Sequence, residues 1–146
     1  MVAGSGWVLD TSALVWFAQG RQYAYALVWE AMDHATTLVV PTSAIVVAKT
    51  VTPPDTHHVI DVLLNLPIIV RDEVDLSRAD DIAQVLCSGP AHPGEEHELQ
   101  TLAAFAAAHV VAVARLPGWA VISDNLATLH AFAGAAVEIK QLRETF

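Results

Sequence analysis

The chain has 146 residues, 54% hydrophobic and 16% charged, with a formal net charge of −9. That length corresponds to one domain, and so apolar a composition excludes bulk disorder. With only seven Lys and Arg, it also excludes a protein that grips nucleic acid through a basic stripe.

A polyanionic substrate would need bound metal or a basic partner to offset the repulsion, and the acidic balance itself suits a partner with a basic surface. Cys87 is the sole cysteine, so no intrachain disulfide forms. The longest apolar tract, Leu102 to Ala114, is interrupted by His109 and is too short to cross a bilayer. No basic segment precedes the N-terminal apolar run, so it does not read as a signal peptide. These features together predict a cytoplasmic protein.

In chain order, Val8 to Asp10 is expected to be the first strand. A helix opens at Ala13 to Phe17 and Gly20 punctuates it. Tyr23 to Met32 forms a second helical segment. Thr37 to Val40 is β-branched and apolar and makes strand two, closed by Pro41. A helix follows over Ser43 to Lys49, and Pro53-Pro54-Asp55 breaks the chain. Thr56 to Asn65 is helical, with Val59, Val62 and Leu63 facing inward. Ile68 to Val70 is a short buried strand. Ser77 caps a helix running to about Leu86. Ser88 to Gly94 is a loop. Glu95 to Ala107 and Val110 to Ala114 are helical, with a break near His109. Trp119 to Ile122 is a strand, Leu126 to Phe132 a helix, and Val137 to Ile139 the last strand. Strands separated by helices predict βαβ units, hence a single α/β domain spanning 1–146. Its central sheet should be mainly parallel, with helices on both faces in three layers.

The acids carry the chemistry. Asp10 ends the apolar run Trp7-Val8-Leu9, where α/β folds place their ligands. Thr11 and Ser12 follow it and can cap the next helix or donate to the carboxylate. Asp10 could equally be only a helix cap. Asp124 ends a second apolar run, Val121-Ile122-Ser123. Glu95, Glu96 and Glu98 lie in the first turn of a later helix, where the helix dipole alone explains acids. Two strand-end acids and one helix-start acid together fit a hard cation such as Mg²⁺, which takes oxygen ligands and keeps several waters.

At these residues the chain resembles the PIN domain family, the fold of many ribonuclease toxins of type II toxin–antitoxin pairs. The resemblance rests on Val8-Leu9-Asp10-Thr11-Ser12-Ala13-Leu14, on Leu38-Val39-Val40-Pro41 with its following helix, and on Trp119-Ala120-Val121-Ile122-Ser123-Asp124-Asn125. It implies a Mg²⁺- or Mn²⁺-dependent endoribonuclease in which the metal activates water for attack on an RNA phosphate. Asp10 matches the family's first acid. The second, a Glu in the helix after Pro41, is replaced by the acid-free stretch Ile45-Val46-Val47-Ala48-Lys49. Glu95 can stand for the third through Gly94-Glu95. Other members carry it near Ala104, where this chain has no acid. Asn125 falls where the last acid is expected, with Ser123 matching the family's Thr and Asp124 adjacent.

The expected catalytic and metal-binding set is therefore Asp10, Glu95 and Asp124, supported by Thr11, Ser12, Ser123 and Asn125. Its site is eroded and suits at most one weakly held ion. The implied partners are RNA, an antitoxin protein and a second copy of the chain. Asp10→Asn is expected to abolish RNA cleavage with thermal stability nearly unchanged. The alternative is a catalytically inactive PIN-like module that binds RNA or protein. A phosphatase or nucleotide-binding domain is weaker, because no glycine-rich phosphate loop is present.

Other residues have plainer readings. His57, His58, His92 and His97 read as exposed loop histidines, lacking metal-ligand spacing. His109 reads as a hydrogen-bonded, partly buried residue. Lys49 could point to the cleft. Trp7, Trp16, Trp29 and Trp119 read as core or dimer-interface anchors.

Overall fold

The computed structural model describes residues 6–88, 98–115, 117–124, 129, 131–132 and 137–142, with side chains in the last long helix described from Thr101 onward. The elements are β1 (Gly6–Leu9), α1 (Thr11–Ala18), α2 (Gln22–Asp33), β2 (Thr37–Pro41) and α3 (Thr42–Val51). A 3₁₀ turn (Pro54–Thr56) leads into α4 (His57–Leu64). Then come β3 (Ile69–Asp72), α5 (Leu76–Ser88), α6 (Glu98–Arg115), β4 (Ala120–Ser123) and β5 (Ile139–Gln141). The strands form one sheet in the order β3-β2-β1-β4-β5, and every pairing is parallel.

The three inner strands are buried on both faces. Val39 and Val40 point to opposite sides of the sheet, as do Val121 and Ile122. All four are buried, so helices cover both faces, as expected for a parallel sheet. The apolar runs of these strands are therefore continuous rather than alternating. Helix α6 packs on β1, β2 and β4 and against α3 and α5, while α1 packs on β1, β4, α2, α3 and α4. No helix among the described residues is long and apolar enough to cross a membrane.

Strand order decides where a site can form. From β1 the chain winds through β2 to β3, then returns to place β4 on the other side of β1. The boundary between β1 and β4 is a topological switch point, the crevice where open α/β sheets bind ligands.

Several expectations need correction. Helix α6 runs unbroken through His109, because the histidine finds side-chain partners and leaves the helical backbone alone. Strand β3 lies at the sheet edge, and Val70 is exposed. In α4 Ile60 and Leu63 are buried and Val59 packs partly buried against the core, whereas Val62 faces out. Helix α5 is capped by Asp75, whose carboxylate accepts from the Arg78 N–H at 2.8 Å, and Ser77 lies inside the helix. The last strand is shifted to Ile139–Gln141. Lys49 turns away to pair with Asp61 at 2.6 Å, its charge taken up by α4. The loop expected at 88–94 and most of the helix expected at 126–132 lie outside the described residues.

Gly6 is a packing requirement. A Cβ built there would lie 2.5 Å from the Trp119 ring, well inside van der Waals contact. Gly6→Ala must push the ring out or displace β1. We expect a loss of about 1–3 kcal/mol, read as a lower denaturation midpoint; an unchanged midpoint would show that the ring moves freely.

Candidate functional site at the β1–β4 switch point

The first strand delivers Asp10 to the carboxyl edge of the sheet. Parallel register pairs Leu9 with Ile122, so the next residues, Asp10 and Ser123, meet where the two strands end. Ser123 donates to Asp10 Oδ2 at 2.5 Å. Ser12 donates to Oδ1 at 2.6 Å, and the Ala13 N–H reaches the same oxygen at 3.0 Å. Asp10 is thus the N-cap of α1, and the capping role and the site position coincide in one residue. Ser12 also accepts from the Asp124 N–H at 2.8 Å, which ties the end of β4 to the start of α1.

Asp10 is 6% exposed, and no basic side chain pairs with it among the described residues. Burial raises its carboxyl above the ordinary carboxylate range, against the opposing pull of hydrogen bonds from Ser12, Ser123 and the Ala13 N–H. The folded chain therefore holds this proton to higher pH than the unfolded chain does. Its stabilising contribution is full below the unfolded value and is lost as pH rises through the folded one. An asparagine keeps the cap and the hydroxyl partners without the buried charge. Asp10→Asn is therefore expected to melt higher than the wild type at neutral pH, rather than unchanged. The gain should shrink toward about pH 4. Melts at both pH values check this, and a variant that melts lower at neutral pH would refute it.

A cavity of about 290 Å³ opens beside this carboxylate. Thr11 and Ser12 line it, but most of its wall is Val15, Trp16, Val47, Ala103, Ala107 and Val110. Val47 belongs to the acid-free stretch of α3, and Ala103 and Ala107 flank Ala104 on α6. Residues from the acid-free stretch of α3 and neighbours of Ala104 on α6 therefore present methyl groups to the carboxylate's own cavity. Arg21 covers the Trp16 ring at 4.5 Å, so its charge is engaged beside the cavity.

The expected site residues are brought together in part. Asp10, Thr11, Ser12, Ser123 and the backbone of Asp124 converge. Glu95, Glu96 and Asn125, with His92 and His97, lie outside the described residues, and so does the side chain of Glu98. A divalent ion needs several oxygen ligands. Among the described residues no group of three or more His, Cys, Asp or Glu could hold a metal. Most of the cavity wall beside Asp10 is hydrocarbon, with hydroxyls only from Thr11 and Ser12. The donors among the described residues do not by themselves make a site for a catalytic metal ion.

Of a second polar cluster, sequence reasoning had only its centre, His109, as a hydrogen-bonded residue. His109 is fully buried. Its Nδ1 lies 2.6 Å from Ser43 Oγ on α3, and its Nε2 lies 2.9 Å from Asp72 Oδ1. Arg78 clamps both oxygens of Asp72 at 2.9 and 3.0 Å, reaches Asp81 at 3.2 Å and donates to the Ala112 carbonyl at 3.3 Å. The order Ser–His–Asp resembles a nucleophilic triad, but Ser43 is itself buried, and no described cavity reaches it. The cluster is structural: it joins α3, β3, α5 and α6. The available signal was Asp72, which ends the apolar run Ile68-Ile69-Val70 two residues on, much as Asp10 ends its own.

Comparison with known proteins agrees with the architecture. No family model matches the chain, and no curated protein matches it. A solved structure does: a chain of VapBC2 from Rickettsia felis, crystallised bound to a DNA fragment from its promoter. It superposes with a TM-score of 0.62 at 10% identity, over 93% of this chain and 98% of that one. At that identity the likeness concerns fold alone. With its all-parallel five-stranded sheet and switch-point carboxylate, the chain has an α/β, PIN-like fold.

Proposed function

We propose that this chain is a PIN-like member of a toxin–antitoxin-type pair that acts by binding a protein partner, with its nuclease chemistry lost. The observation that carries the reading is Val47. It shares the Asp10 cavity from the helix that supplies the second acid in PIN nucleases, and no second carboxylate lines that cavity among the described residues. The structural neighbour belongs to a complex named VapBC2, which supports pairing with an antitoxin-like protein. A net charge of −9 favours a basic protein surface over RNA as the partner. A second copy of the chain fits the same proposal. Tyr25, Trp29 and Met32 lie at helical spacing on α2 and are exposed, Trp29 by 66%.

A second reading has its own observation. Asp10 and Asp124 reach the same sheet edge, joined through Ser12. With Glu95 they would make the acid set of a Mg²⁺- or Mn²⁺-dependent endoribonuclease. One experiment separates the two. RNA is incubated with the chain in millimolar Mn²⁺, beside melting curves with and without the metal. We expect no cleavage and no upward shift, although linkage demands a shift wherever a metal binds the folded state. Cleavage that Asp10→Asn abolishes would replace the first reading with the second.

A further inference from the structure

The geometry points to the Asp10 cavity as a binding site for a small organic monocation, an ammonium or amidinium group carried on an apolar body. The inference rests on the reading that no metal ion claims this carboxylate.

Three features of the cavity select that ligand. Its volume of about 290 Å³ is near the lower end of small-molecule pockets, roughly 300 Å³. Its walls are mostly hydrocarbon, from Val15, Trp16, Val47, Ala103, Ala107 and Val110, so an apolar body gains from entering it. Its charge comes from Asp10, which no basic side chain neutralises among the described residues. Oδ1 accepts from the Ser12 hydroxyl and the Ala13 N–H, Oδ2 accepts from Ser123, and the Ser12 N–H also bonds the carboxylate. All of these donors are neutral, so the carboxylate that lines the cavity keeps its charge for a cation entering it.

The same features reject the other ligand classes. A phosphate or carboxylate ligand would meet a like charge, with no cation lining the cavity among the described residues. A divalent ion would find, among the described residues, a single carboxylate and two hydroxyls in a mostly hydrocarbon wall, fewer oxygens than it needs. A neutral apolar molecule would leave the buried carboxylate without its counter-charge. A cationic head on a compact apolar body satisfies both the charge and the walls. The N–H donors of an amidinium also make the stronger, charge-assisted kind of hydrogen bond.

The test is a calorimetric titration of the full chain with benzamidine, with benzamide as the neutral isostere and guanidinium as the head without a body. Benzamidine is expected to bind about tenfold or more tightly than either control, the difference made by one charge-assisted hydrogen bond or one buried ring. Asp10→Asn should abolish that preference for the charged ligand. Ala103→Phe, at a half-buried wall position, should fill the cavity and weaken benzamidine by a similar factor while leaving the fold intact by circular dichroism. No benzamidine binding at millimolar concentration would overturn the inference, and so would equal binding of benzamide. Mn²⁺ binding that Asp10→Asn removes would instead overturn the reading beneath it.

Discussion

Val47→Glu is expected to give the Asp10 cavity a metal ion. The variant should melt about 5–10 °C higher in millimolar Mn²⁺ than in chelator, while the wild type melts at one temperature in both. The size follows from linkage: a metal at a hundred times its Kd contributes about 2.7 kcal/mol, and a domain of this length gains roughly 2–4 °C per kcal/mol. The site follows from geometry, because Val47 and Asp10 line one cavity and a second carboxylate there supplies the missing oxygens. Without metal the same variant should be about 2–4 kcal/mol less stable than the wild type, since it buries a second carboxylate in a hydrocarbon wall. Adding Asp10→Asn should erase the Mn²⁺ response. A single variant that ignores Mn²⁺ would mean the two positions do not converge on one ion. A wild type that responds as strongly would mean the acid set is complete without Val47.

His109→Leu should cost about 2–4 kcal/mol, or roughly 5–15 °C of melting temperature. Leucine keeps the buried volume, so the loss isolates the polar contacts. Ser43 loses its 2.6 Å partner inside the core, and a buried hydroxyl without a partner carries its full desolvation cost. Asp72 loses the imidazole but keeps Arg78. The variant should also change the pH dependence. Burial pushes the His109 pKa down, against the opposing pull of the Asp72 hydrogen bond and charge, and Arg78 lowers it further. A histidine with a depressed folded pKa stabilises fully above its unfolded value, about 6.5. That contribution is lost as pH falls through the folded value, because the unfolded chain takes up the proton first. Wild-type stability in denaturant should therefore drop as pH falls below about 6.5, and His109→Leu should remove that part of the slope. The comparison cancels the opposite trend from Asp10, which both proteins share. Equal slopes would show that the imidazole does not control stability in this range.

The fold was legible because its signals are local. Apolar β-branched runs, Pro41, the Pro53-Pro54 break and the Gly20 turn each act within a few residues, and strand–helix alternation then leaves few topologies. Asp10 was legible for the same reason, since a strand-end carboxylate followed by two hydroxyls encodes its own cap. Where local signals were read too literally, they failed. The histidine in the α6 run looked like a helix break, yet its partners on α3 and β3 are distant in sequence and let the helix continue. Val62 looked inward because the helical period gives a face but not the direction of the core.

The sequence by itself determined the parallel α/β architecture, the carboxylate at the first strand end and the absence of an acid in the stretch after Pro41. Only the tertiary structure decided what those facts amount to. The Leu9–Ile122 register brought Ser123 onto Asp10, and the packing of α3 and α6 turned Val47, Ala103 and Ala107 into the wall of its cavity. Contacts between residues tens of positions apart depend on strand order and helix packing. No periodicity or spacing along the chain carries that information, so the chemistry of the cleft is settled by what the fold places beside Asp10.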